Sequence, residues 1–270
     1  MRKGGMLPRY PAVRTPLECG AAGSLERQVS QERTEAVVLR GVDFSETSRV
    51  VTLLTPARGK LAVMAKGVRR KNSALAHPLG AFNLVEAVYG WKEGREVHPL
   101  FEVSLVDSFA GIRAHPEKPF FAALPVEMAY KAAQENEPGG ELYDALVAGL
   151  LGLAAWTGDV RTHAAWQLWR LIRAAGFEPE LEQCLESGEA LAGTVGFSFA
   201  GGVVGRGRVS DIRLTHAQLE VMAAMLDAAA ECPVEWADAL LFRAAWQYAR
   251  AQLETDFRSA RVLHDMFGSA

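Results

Sequence analysis

The chain has 270 residues, 49% of them hydrophobic, and carries 29 Lys and Arg against 32 Asp and Glu, a formal net charge of -3. That is enough apolar material for one large or two ordinary globular domains, and the slightly acidic balance excludes nucleic-acid binding by bulk charge, so any affinity for a polyanion has to come from a local patch. Three widely separated cysteines, Cys19, Cys184 and Cys232, do not form the framework of a disulfide-stapled secreted domain, and no apolar run reaches the roughly 20 residues of a membrane-spanning helix; a cytoplasmic location is expected.

Residues 1–31 mix Pro8, Pro11, Pro16, glycines and scattered charges without periodicity, and read as a disordered or loosely draped extension. From Thr34 the composition changes. Thr34 to Arg40 is rich in β-formers and ends at Gly41, a first strand. Arg49 to Thr55 predicts a second, Pro56-Ala57-Arg58-Gly59 a tight turn, and Lys60 to Val68 the returning strand of a hairpin. After a basic loop at Arg69 to Ser73, Phe82 to Trp91 and Val97 to Val106 supply two more strands. Five short strands within residues 32–110 point to a small closed barrel, since closure removes edges that so few strands would leave open. An oligonucleotide-binding (OB) barrel is the expected form.

Beyond Pro116 apolar residues recur three and four apart, which makes residues 111–270 a helical domain and the whole chain α+β. Helices are predicted over Phe120 to Gln134, Glu141 to Trp156 and Asp159 to Ala175, the last with Asp159 as N-cap and Gly176 as its stop. Pro125 is expected in the first turn of the first helix or at a kink. Around 177–211 the helical pattern fails and glycine rises; helices resume over Thr215 to Ala230, with Thr215 and Gln218 as a capping box, and over Pro233 to Glu254.

Within this frame the charge is unevenly placed. Thr47 to Val85 holds Arg49, Arg58, Lys60, Lys66, Arg69, Arg70, Lys71 and His77 and no Asp or Glu, against the sign of the whole chain. Basic side chains on a small barrel and its loop are a candidate polyanion site. Single-strand-binding barrels combine such a groove with aromatic faces. The aromatics available are Phe44, Phe82, Tyr89 and Trp91; Phe82, Tyr89 and Phe101 are expected in the barrel core, whereas Trp91, beside Lys92 and Arg95 at a strand end, is the expected stacking residue.

Enzymatic chemistry finds little support. Gly201 to Gly207 lacks the Gly-Lys-Ser/Thr of a phosphate loop and reads as a hairpin. The six histidines are scattered, and no Ser or Cys stands in a nucleophile elbow. The expectation is a protein without catalytic residues.

With the elements placed, the chain resembles the RecO family of bacterial recombination mediators from about Thr34 to near Leu263. In the first half the likeness rests on Glu35 to Arg40, Phe44 to Arg49, Leu54-Thr55-Pro56 with Gly59-Lys60, and Ala65 to Arg70. In the second half it rests on Gly176-Phe177-Glu178-Pro179 with Leu181 and Cys184, on Phe197-Ser198-Phe199 followed by Gly201-Gly202, and on Leu253 with Arg258-Ser259. The resemblance implies an OB domain and a helical domain, binding of single- and double-stranded DNA, annealing, and partnership with RecR and single-strand binding protein in loading RecA. Many members carry a zinc module of two Cys-x-x-Cys pairs after the Gly-Phe-Glu-Pro motif. Here only Cys184 remains, with Ser187, Gly205 and Arg208 at the other positions, so no zinc and no other cofactor is expected.

The expected function is therefore a DNA-repair mediator that contacts phosphates through Arg49, Arg58, Lys60, Lys66, Arg69, Arg70 and Lys71 and stacks bases on Trp91. The alternative is an adaptor that docks RecR and the acidic tail of single-strand binding protein, the latter near Arg161, Arg170 or Arg173, with little DNA affinity of its own.

Overall fold

β1 (Ser30–Asp43) is fourteen residues long and serves two neighbours. Its first half pairs with β4 (Leu84–Trp91), from Ser30 opposite Trp91 to Val37 opposite Leu84; its second half pairs with β2 (Arg49–Thr55), from Val37 opposite Leu54 to Asp43 opposite Arg49. The register slips between Val38 and Arg40, where the strand changes partner; a bulge there gives the extra twist that a long strand needs to curl around a small barrel. The computed structural model describes residues 30–190, 193–205, 208–227, 232 and 239–268. The expected extension therefore lies outside the described residues except for Ser30 and Gln31, which belong to β1.

β3 (Gly59–Ala65) returns beside β2, and β5 (Val97–Asp107) runs parallel to β3 and antiparallel to β4, closing the barrel in the order β1-β2-β3-β5-β4. Alternation decides which faces point inward: Leu61, Val63 and Ala65 of β3 are buried with Val51, Leu53, Val85, Ala87 and Tyr89. β3 stops at Ala65, short of the expected Val68, because Lys66-Gly67 turns the chain with Gly67 at φ 73°. Phe82 is buried as expected, but in the loop before β4; Phe101 is not a core residue, since it projects from β5 with half its surface exposed.

The helices follow: α1 (Ala110–Arg113), α2 (Lys118–Ala132), α3 (Gly140–Ala155) and α4 (Val160–Ala174). Pro125 lies inside α2 rather than in its first turn. The Asp159 carboxylate caps α4 by accepting from the N–H groups of Arg161 (2.7 Å) and Thr162 (3.2 Å). Gly176, at φ 83°, ends it with a bond from its N–H to the Arg173 carbonyl. The glycine-rich segment then forms a three-stranded sheet, β6 (Val195–Ser198), β7 (Gly202–Val204) and β8 (Ile212–Leu214), with β6 in the middle. The predicted hairpin at Gly201 is the β6–β7 connection. α5 (His216–Leu226) opens with the Thr215/Gln218 capping box, and α6 (Ala239–Gln252) and α7 (Arg258–Phe267) complete the domain. Pro233, expected to open α6, lies outside the described residues.

The barrel is docked through its β2–β3 turn. Gly59 has φ 55°, and a Cβ on it would stand 2.5 Å from the Glu137 carbonyl and 2.6 Å from that of Gln134, so only glycine fits. The Lys60 N–H donates to the Gln134 carbonyl (2.8 Å) and the Gly139 N–H to that of Pro56 (3.1 Å). Val37, Leu39, Leu54 and Leu84 of the barrel join the helical core.

α4 buries polar groups against α3, where Gly149 and Gly152 leave room for Gln167 and His163. His163 lies between the rings of Trp156 and Trp166, and among the described residues neither ring nitrogen has a hydrogen-bond partner. Burial, with the Lys118 ammonium nearby, pulls its pKa down to about 4. Unfolded, the imidazole binds a proton below about pH 6.5; folded, it stays neutral down to about pH 4, so between these values the unfolded state holds more protons and stability is lost as the pH falls. Between pH 7.5 and 5 this residue alone should remove about 2 kcal/mol. His163→Leu, of similar size and with no nitrogen to desolvate, should unfold in urea with a stability that is correspondingly flatter over that interval; equal slopes for the two proteins would refute the assignment.

Candidate nucleic-acid interface

The eight residues expected to contact DNA do not lie together. β3, seven residues and therefore about 20 Å long, separates two ends of the barrel. At one end are the β1–β2 turn and the loop that leaves β3, with Arg49, Lys66, Arg69, Arg70 and Lys71; at the other are Arg58 in the β2–β3 turn and Trp91 at the end of β4.

At the first end some of the cations are engaged by neighbouring groups and others are exposed. The Asp43 carboxylate accepts from Arg49 Nε (2.8 Å) and lies 3.4 Å from Arg69 Nε, and these guanidinium groups hold it below the usual carboxylate range, the Arg49 bond contributing most. Arg69 also donates from Nη1 to the Ser45 carbonyl (2.9 Å) and from its backbone N–H to that of Thr47 (3.1 Å). Arg69 thus fastens the basic loop to the β1–β2 turn. Lys66, Arg70 and Lys71 are exposed, and among the described residues no carboxylate stands within ion-pairing distance of them. Phe44, in the same turn, is 69% exposed.

At the second end the groups satisfy one another. Glu32 accepts a bidentate pair from Arg58 (2.8 and 2.6 Å) and a third bond from the Tyr89 hydroxyl (2.7 Å). Burial opposes ionisation of Glu32, but these donors outweigh it and keep its pKa below the ordinary value; burial and the same bond push the Tyr89 phenol upward. The Arg58 guanidinium carbon lies 3.6 Å from the Trp91 ring centre, and the His98 ring stacks on Trp91 at 4.3 Å with 20° between planes. Two groups this close to one ring centre have to occupy opposite faces, so Trp91 has no open face for a base. The expectation that Trp91 is a stacking platform gives way to a structural role, as a layer between Arg58 and His98. His98 is itself buried, which lowers its pKa, and its Nδ1 lies 3.2 Å from the Gly90 carbonyl.

Lys60 faces neither end. Its ammonium donates to the Tyr130 carbonyl (3.3 Å) and lies over the Tyr130 ring, at the junction with the helices. In the helical domain Arg173 donates to the Leu226 carbonyl and approaches Glu178, and Arg170 stacks over Trp166.

The segment around Cys184 is held by hydrogen bonds and an ion pair. Cys184 is buried, with its sulfur 3.2 Å from the Gly205 N–H. Hydrogen bonds from the Ser187 hydroxyl and from the N–H groups of Glu186, Ser187 and Gly205 bring its thiol down to about 7. Arg208, at a position of the second pair, forms an ion pair with Glu186 (3.0 Å), bridging the two arms. A hydroxyl, a glycine and a guanidinium beside one thiol do not make a tetrahedral zinc set, and among the described residues no group of three or more His, Cys, Asp or Glu could hold a metal. Among these residues, too, no helix is long and apolar enough to cross a membrane.

The family model described as recombination protein O N terminal matches residues 29–109, and that described as recombination protein O C terminal matches 114–245. The barrel and most of the helical domain fall within them. The DNA repair protein RecO of Anaeromyxobacter dehalogenans is 36% identical over 152 residues, covering 56% of this chain and 59% of that protein. Those of Prosthecochloris aestuarii and Shouchella clausii are each 32% identical, over 159 and 170 residues, covering 59% and 63% of this chain and 60% and 65% of theirs. The matched region thus spans about three fifths of the length of these relatives. The two models meet end to end on a five-stranded OB barrel followed by helices, and the chain belongs to the RecO family.

Proposed function

We propose that the protein is a DNA-repair mediator without catalytic chemistry, acting in the cytoplasm, that grips the phosphate backbone with the barrel end formed by the β1–β2 turn and the loop after β3. The observation that carries this reading is the trio Lys66, Arg70 and Lys71, exposed and, among the described residues, without carboxylate partners, on a loop fastened by Arg69. Cations that neutralise no internal acid keep their full attraction for an external polyanion. Arg49 and Arg69 add to the field while holding Asp43. Arg58, Trp91 and Lys60 serve the barrel and its docking.

The family supports the wider role. Relatives bear the name DNA repair protein, and we extend to this chain the binding of single- and double-stranded DNA, the annealing of complementary strands, and cooperation with RecR and the tail of single-strand binding protein in loading RecA. Annealing follows if two strands lose their mutual repulsion on a basic surface while their base edges stay open.

Salt-dependent binding tests the reading directly. Fluorescence anisotropy of a labelled oligonucleotide should give an affinity whose logarithm falls linearly with the logarithm of salt, with a slope of about -2 for three phosphate contacts to a single strand. Absence of binding at low salt would refute it, and favour an adaptor that meets DNA only through its partners.

A further inference from the structure

The end of the barrel that carries the exposed cations also carries an exposed aromatic ring. Among the described residues Phe44 is the most exposed aromatic of the large hydrophobic residues left at the surface, at 69%, and it stands in the turn between β1 and β2. In OB barrels this first connecting loop flanks the nucleic-acid groove. A single exposed apolar residue is ordinarily unremarkable, as is Phe101, which sits beside Glu102 on β5. Phe44 differs in how its backbone is held and in what surrounds it.

The turn is built by short-range hydrogen bonds: the N–H groups of Phe44 and Ser45 donate to the Ser48 carbonyl (3.0 and 3.3 Å), and the Ser48 N–H donates to the Ser45 hydroxyl (3.2 Å). On either side of Phe44 the chain is tied to the basic loop. Asp43 is gripped by Arg49 and Arg69, and the Ser45 and Thr47 carbonyls accept from Arg69. The ring is therefore carried on a preorganised turn, continuous with the loop that bears Lys66, Arg70 and Lys71, with Glu46 as the one acid of the turn itself. An exposed aromatic on a hydrogen-bonded turn, beside cations that have no carboxylate partner among the described residues, complements the chemistry of a nucleotide in an open strand, an anion joined to a flat apolar ring.

We propose that Phe44 stacks on an unpaired base while Lys66, Arg70 and Lys71 hold the adjoining phosphates, which makes this end of the barrel selective for single-stranded over double-stranded DNA. The inference rests on the phosphate-gripping role proposed above and adds base contact to it. In a duplex both faces of each base are covered by its neighbours, so the ring gains nothing there. The role expected of Trp91 passes to Phe44, at the opposite end of the barrel.

The full-length protein provides the test, with Phe44→Ala and Phe44→Trp, a labelled oligo-dT, a duplex of equal length, and an abasic strand that keeps the phosphates and lacks the bases. Phe44→Ala should weaken oligo-dT binding by about ten-fold, within a range of about 5- to 100-fold for one stacked base. The slope against salt should not change, because stacking releases no counterions. Duplex and abasic affinities should stay at the wild-type level. Phe44→Trp should restore oligo-dT binding and show fluorescence quenching absent from wild type. Wild-type oligo-dT affinity in Phe44→Ala overturns the stacking proposal and is the result expected if the ring anchors a partner protein instead; equal losses for oligo-dT, duplex and abasic strand overturn it as well. If wild type binds none of the three probes, the phosphate-gripping reading fails first, which separates the two failures.

Discussion

Changing Lys66, Arg70 and Lys71 together to Glu should weaken binding of single-stranded DNA by more than about a hundredfold at moderate salt. In water a unit-charge pair at about 4 Å is worth a factor of about five, so three attractions lost and three repulsions gained exceed that threshold. The slope of affinity against salt should shrink by about two for three lost contacts. The trio is exposed and forms no internal ion pair among the described residues, so the melting temperature and circular dichroism should match wild type, and a binding loss then reports on DNA contact alone. Arg69 is left intact because Arg69→Glu would also set a carboxylate against Asp43 and release the Ser45 carbonyl, confusing a lost contact with a lost loop. Binding of the triple variant within about threefold of wild type would remove this loop from the interface.

The largest stability effect should come from Trp169→Ala. Trp169 is fully buried on α4 and meets Phe197 of β6 edge to face (6.2 Å) and Tyr248 of α6 at 5.7 Å. It is the point at which the small sheet, α4 and α6 converge. Truncating a buried tryptophan to alanine costs about 3–5 kcal/mol, from lost transfer energy and the cavity left behind. For a chain of this size that should lower the melting temperature by about 6–20 °C. Because the barrel keeps its own core of Val51, Leu53, Leu61, Val63 and Val85, oligonucleotide binding below the transition should survive. A shift under about 2 °C in a thermal melt would show that the region repacks and that Trp169 is not its keystone.

What could be read from the sequence was local. β2, β3 and β5 lie within a few residues of the expected segments, because alternation, the Pro56 to Gly59 turn and β-branched runs are encoded in neighbouring residues. The caps at Asp159 and Thr215 were legible for the same reason. The first four residues of β1 escaped, since Ser30 to Arg33 is polar and pairs with β4 nearly sixty positions away. α7 escaped as well: it is short, carries two arginines, and follows Glu254 at φ 47°, where the helical pattern breaks.

The candidate site divides in the same way. The acid-free run from Thr47 to Val85 is visible as composition, but nothing in it says that Arg58 is claimed by Glu32, Lys60 by Tyr130 and Trp91 by Arg58 and His98. Those partners lie up to 70 positions away. Composition gave the supply of cations, and topology decides which of them remain available. Phe44 was visible as an aromatic, but its value depends on a turn that only folding places next to the basic loop.

The shared strand β1 has a consequence for how the protein is made. Its first half pairs only with β4, and the barrel closes only when β5 settles between β3 and β4. On a ribosome the β1–β2–β3 meander emerges first as an open three-stranded sheet, with one side of β1 and one side of β3 unpaired, and it has to wait for more than forty further residues, through Asp107, before both edges are covered. Such non-local closure is slow, and open apolar edges invite pairing with other chains. The polar start of β1, Ser30 to Arg33, lies on the strand that waits longest for its partner, and its charged residues guard that edge against aggregation until β4 arrives.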